Sequence, residues 1–213
     1  MIKKSNKNLV ARLRDILCRN VSRQIVSDDT LFFVTRGNVI ESQGSRDALN
    51  RMDSVSTYVK VTHWFDSFWF YINIKILIGE DNATELPFVS ISFFEKQGAD
   101  IKQLFRAEWD NYRQDEHPQP HWHLSSEVGR QSFESLESGA EVDEDSPFAE
   151  LEGKVDAVDI PKMHFAMVGN WDEGDRSNMI KRFTTEEILA QWLIKLFDHV
   201  RRELNYARKD KWA

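Results

Sequence analysis

Residues Phe68 to Ile78 read FWFYINIKILI, and this run limits the possible fold more than any other stretch of the chain. Phe68, Phe70, Ile72, Ile74, Ile76 and Ile78 share one face of an extended backbone, while Tyr71, Asn73 and Lys75 take the other. Successive side chains of a strand point to opposite faces, so the pattern predicts a long strand in a sheet with one buried face. Asn73 and Lys75 also interrupt the run, and no apolar stretch is long enough to span a bilayer.

The neighbouring segments extend this sheet. Leu31 to Thr35 is a short strand followed by the turn signal Gly37-Asn38. Ser56 to Trp64, Pro87 to Glu95 and Ile101 to Asp110 read as further strands, with breaks at Gly79 to Ala83 and Gln97 to Ala99. Pro120 to Ser125 and Lys162 to Val168 complete the set, whereas Ser45 to Met52 reads as a short helix or an ordered loop. The short spacings favour antiparallel neighbours.

Helical periodicity appears at both ends. In Ser5 to Ile25, Leu9, Leu13, Ile16, Leu17 and Val21 recur three and four residues apart. Thr184 and Glu187 have capping-box spacing, and the apolar face from Ile188 to Val200 follows. The expected architecture is α+β: a single antiparallel sheet with its apolar face covered by the N- and C-terminal helices. The 213 residues fit one domain, with the opposite sheet face free to carry a site.

Charge is unevenly spread. Residues 127–159 hold 11 acids against Arg130 and Lys154, which more than accounts for the net charge of −7 and leaves about +2 for the remainder. This segment reads as a flexible acidic insertion, with a lid or a partner-binding strip as the sharper alternative. Cys18 is the sole cysteine, which excludes an intramolecular disulfide and fits a reducing cytoplasm. The first residues, MIKKSNKN, lead into Arg12, Arg14 and Asp15 rather than the apolar core of a signal peptide.

Potential chemistry concentrates between Leu104 and Leu124, LFRAEWDNYRQDEHPQPHWHL. Arg106, Glu108 and Asp110 share a strand face opposite Phe105, Ala107 and Trp109. His121 and His123 share a face opposite Trp122 and Leu124, and His164 opposes Met163, Phe165 and Met167. If these strands are neighbours, His121, His123 and His164 form a three-imidazole set for zinc or manganese, with a position left for water. Glu108 or Asp110 would orient a histidine or act as base, and Arg106 would hold an anionic substrate. His117, ahead of Pro118, is a further acid–base candidate. Without metal, the same groups could act as an RNase-like acid–base catalyst. Against this, H-x-H is a short pattern, and a solvated sheet face carries polar residues anyway. His63 reads as a packed histidine and His199 as a helix-boundary residue beside Glu203. The sequence contains no P-loop, no G-x-G-x-x-G and no G-x-S-x-G elbow.

The run Phe105-Arg106, Glu108, Asp110, His117-Pro118, His121 and His123, then Ile160-Pro161, His164 and a helix, resembles a group of small uncharacterised bacterial proteins. These carry an H-P-x-x-H-x-H strand motif before a final helix, and some occur in toxin–antitoxin or phage-defence clusters. The resemblance covers roughly residues 101–205, and the long acidic insertion departs from its pattern. It implies a bacterial cytoplasmic accessory or effector, without fixing a chemistry. Two functional expectations follow. One is a metal-assisted or acid–base hydrolase of phosphodiesters or nucleotides. The other is a non-catalytic subunit that binds another protein through residues 127–159. Neither involves a membrane.

Overall fold

The computed structural model describes residues 11–21, 25, 31–52, 55–78, 84–110, 121–124 and 185–209. The acidic segment, the Lys162–Val168 stretch, His117 and His164 lie outside the described residues. Within them the chain is α+β, as its periodicities require. Helix α1 covers residues 11–21 and its last turns, Leu17–Val21, widen into a π-helix. Eight strands follow: β1 (Phe32–Arg36), β2 (Val39–Gln43), β3 (Arg46–Met52), β4 (Val55–Phe65), β5 (Phe68–Ile78), β6 (Thr84–Gln97), β7 (Asp100–Asp110) and β8 (His121–Leu124). Helix α2 (Glu186–Lys209) comes last among the described elements.

All strand pairs are antiparallel, in the order β1-β2-β5-β6-β7-β8, with β4 also joined to β5 and β3 joined to β4. Strand β5 shares one edge between two partners. Its first residues pair with the end of β4 (Phe70 opposite Thr62), and its later ones pair with β2 (Asn73 opposite Glu41). Between the two, the Ile72 amide donates to Ser42 Oγ at 2.8 Å, so a side chain supplies the acceptor where β2 leaves the sheet.

Gly44 marks that departure. A Cβ there would lie 1.8 Å from the Val61 carbonyl oxygen, so only glycine lets the chain cross β4 at this distance. Beyond it β3 pairs with β4 in a hairpin that folds back toward β7. This corrects the expectation for Ser45 to Met52, which is strand rather than helix or loop, and adds β2 as a strand. Arg46–Met52 (RDALNRM) carries good helix formers and no clean alternation, and the pairing with β4 overrides that local preference.

The apolar face holds the main core. Phe70, Ile72 and Ile74 of β5 align in register with Phe93, Ile91 and Val89 of β6, and these with Phe105, Ala107 and Trp109 of β7. All nine are buried, together with Leu13, Leu17 and Val21 of α1 and Trp192, Leu193, Leu196, Phe197 and Val200 of α2. Phe197 packs against Trp64, Phe70 and Phe93 at ring-centroid distances of 4.9, 4.8 and 5.4 Å. Arg201 lies over Trp64 and Phe65 and donates to the Ile25 carbonyl, tying α2 to the chain beyond α1. The start of α2 is capped one residue later than the sequence spacing indicates: the Ile188 amide donates to Thr185 Oγ1 at 3.3 Å.

The second face is not open as expected. The β3–β4 hairpin buries Ala48, Val61, Tyr71 and Phe94 against it in a smaller core, and Arg106, Glu108 and Asp110 are all buried. Gln103 of β7 docks the hairpin. Its Oε1 accepts the Arg51 amide at 2.7 Å, and its Nε2 faces the Arg51 carbonyl at 3.4 Å.

Candidate metal centre

Strand alternation places the site residues, and the β7–β8 register brings them together. Glu108 lies opposite His121 and Arg106 opposite His123, so two cross-strand pairs form adjacent rungs on one face. Trp122 points the other way and packs edge-on against Phe105, with centroids 5.8 Å apart. Leu124, expected on that core side, is 54% exposed at the end of the strand.

Glu108 Oε2 is the hub. Arg106 donates to it from Nη2 at 2.8 Å and from Nε at 3.1 Å. His123 Nε2 lies 2.9 Å away and His121 Nε2 3.9 Å away. The two imidazoles sit edge to face, 4.7 Å between centroids. Every contact that the arginine and the two histidines make with Glu108 falls on this one oxygen, Oε2. Arg106 Nη1 also donates to the Arg51 carbonyl at 2.9 Å, which ties the hub to the docked hairpin.

The His123 contact is short but poorly aligned. Its Nε2 is buried 2.9 Å from the carboxylate oxygen, outside ideal hydrogen-bond alignment. Burial pushes the Glu108 carboxyl upward, but His123, Arg106 and their charges outweigh it. The group is therefore held below the ordinary carboxylate range and is an anion at neutral pH.

One ligand atom each from Glu108, His121 and His123 can be chosen so that all lie within 4.8 Å of one another. Ligands bonded at 2.0–2.2 Å around a tetrahedral ion sit roughly 3.3–3.6 Å apart. The 2.9 and 3.9 Å separations at Glu108 bracket that spacing, so small side-chain movements would complete three corners.

No protein-family model, curated protein or solved structure matches this chain.

The candidates divide accordingly. Glu108, His121 and His123 are assembled, with the carboxylate itself within the same 4.8 Å group rather than only standing behind a histidine. Asp110 is buried two residues along β7, outside the three-ligand group. Arg106 is 2% exposed and its guanidinium is engaged by an internal carboxylate, in place of the substrate anion expected from the sequence. His63 is packed, with Nε2 at 2.9 Å from the Asp66 carbonyl and its ring 5.0 Å from that of Trp69. Arg51 and Gln103 carried no sequence signal: one acts through its main chain, and the other lies beside a register shift that breaks the alternation.

Proposed function

We propose that Glu108, His121 and His123 hold a divalent cation, zinc or manganese, and that the protein is a metal-assisted hydrolase of phosphodiesters or nucleotides. The observation that carries this reading is the convergence of three ligand atoms within 4.8 Å across the β7–β8 rungs. Imidazole nitrogens and a carboxylate oxygen suit both ions. Three protein ligands leave a coordination position for water, whose acidity the ion would raise toward neutrality. Arg106 would act behind the site, donating to the Glu108 oxygen that approaches both imidazoles and so fixing the carboxylate in place. The resemblance to bacterial defence-cluster proteins supports a cytoplasmic accessory or effector setting.

Elemental analysis of untagged protein, beside a His121→Ala/His123→Ala variant, tests the site. Near-stoichiometric zinc or manganese in the wild type, absent from a variant with unchanged circular dichroism, is the expected result. A phosphodiester and nucleotide screen should then show turnover that chelator abolishes and added metal restores. Wild-type protein that carries no metal and takes none up on addition would sink the proposal. Glu108–Arg106 would then be a buried ion pair whose flanking histidines fill the remaining space.

A further inference from the structure

Two side chains of β7 hold the main chain of Arg51, and one of them also holds the candidate metal centre. Gln103 Oε1 accepts the Arg51 amide at 2.7 Å. The Arg51 carbonyl accepts from Arg106 Nη1 at 2.9 Å, while Nε and Nη2 of the same guanidinium donate to Glu108 Oε2 at 3.1 and 2.8 Å. A guanidinium is a rigid planar fork, so its nitrogens cannot shift independently. Displacing the Arg51 carbonyl therefore breaks a bond or carries the guanidinium away from Glu108. Arg106 is 2% exposed, so it cannot exchange a lost acceptor for water without moving.

The β3–β4 hairpin is built to allow such a displacement. Among the described residues β3 has no strand partner besides β4, and β4 joins β5 only from Thr62 onward. The hairpin packs on the sheet through a small core, Ala48, Val61, Tyr71 and Phe94, set against the much larger core under the two helices. Docking also carries a penalty. Asn50 is 2% exposed, and its Oδ1 has no hydrogen-bond partner among the described residues. Undocking would return that oxygen to water. A layer with few apolar contacts and an unpaired polar group opens more readily than the rest of a fold.

We infer that docking of the β3–β4 hairpin regulates metal affinity at Glu108, His121 and His123. The inference rests on the metal reading of that cluster. Docked, the hairpin fixes Arg106, and Arg106 fixes the oxygen that lies 2.9 Å from His123 Nε2 and 3.9 Å from His121 Nε2. Undocked, the guanidinium follows the carbonyl or turns to water, and the carboxylate loses its constraint. Apparent affinity then falls in proportion to the docked fraction. Coupling is reciprocal, so a bound ion holds the hairpin down by the same factor.

Isothermal titration of the protein with zinc provides the test, with circular dichroism reporting the fold. Two variants weaken docking from opposite sides without altering a ligand. Gln103→Met keeps the volume but removes the acceptor of the Arg51 amide, and Ala48→Asn puts an amide into the small core. Each should lose at least about fivefold in zinc affinity, the low end of typical coupling. Adding Asn50→Val, which removes the unpaired oxygen, should recover part of the loss in either background. Phe197→Ala weakens the opposite core and should bind zinc as the wild type does. Wild-type affinity in either docking variant, a loss that Asn50→Val does not recover, or an equal loss in Phe197→Ala would overturn the inference and leave the metal site standing. No zinc binding by the wild type would remove the metal reading, and this inference with it.

Discussion

Glu108 satisfies an arginine and crowds two histidines with a single oxygen, and the energetic consequence is one-sided. A buried ion pair contributes little relative to well-packed apolar groups, but removing one partner strands the other charge out of water. Arg106→Met should therefore cost about 3–5 kcal/mol in chemical denaturation, whereas Arg106→Met/Glu108→Met should recover much of that loss. Recovery would show that the pair is kept for something other than stability, as a ligand site requires. Equal losses in both variants would instead point to packing of the side chains themselves. Tyr71 gives a milder case on the same face. Its hydroxyl donates to Glu41 at 2.5 Å, and burial followed by that carboxylate raises the phenol above its ordinary value. Removing the hydroxyl with Tyr71→Phe should cost about 1 kcal/mol.

The helices and the hairpin explain what could and could not be read from sequence. The β5 alternation and the α2 apolar face each repeat often enough to identify themselves. Their apolar faces, Phe68 to Ile76 and Leu189 to Val200, are buried as expected, while Tyr71, on the polar side of β5, is buried by the hairpin. Arg46–Met52 does not, because its inward residues, Ala48 and Asn50, are small or polar. On α2, Phe197→Ala should cost about 3–5 kcal/mol by opening a cavity among Trp64, Phe70 and Phe93. The two helices also meet through Arg12 Nη2 and Glu186 Oε1 at 2.7 Å. The bond from Arg12 holds the Glu186 carboxyl below its ordinary value of 4.5, against a smaller opposing effect of burial. A lowered folded value means that the contribution is complete above the unfolded value and is lost as pH falls through the folded one. Acid titration of stability should therefore be shallower in Glu186→Gln than in the wild type below pH 4.5. The difference will be small and salt-sensitive, because Arg12 is exposed.

For the whole molecule, the sheet is covered on both faces, by helices on one and by its own hairpin on part of the other. Which side chains shared a face was legible for β7 and β8. Which rungs they shared was not, since the connection through residues 111–120 does not fix a register. The Glu108–His121 and Arg106–His123 pairings emerge only from the assembled sheet. If those rungs bind zinc in the folded state alone, saturating metal should raise stability, by about 2.7 kcal/mol at a hundredfold excess over Kd. A thermal melt with and without zinc reads this, and the histidine double variant should show no shift. The docking of the hairpin has its own reporter. The Arg51 amide is bound by the Gln103 side chain rather than by a neighbouring strand. In deuterated solvent that one proton should exchange slowly, and Gln103→Ala should release it while the β5–β6 amides stay protected. A single exchange rate would then measure how often the hairpin lifts away from β7, separately from how often the protein unfolds.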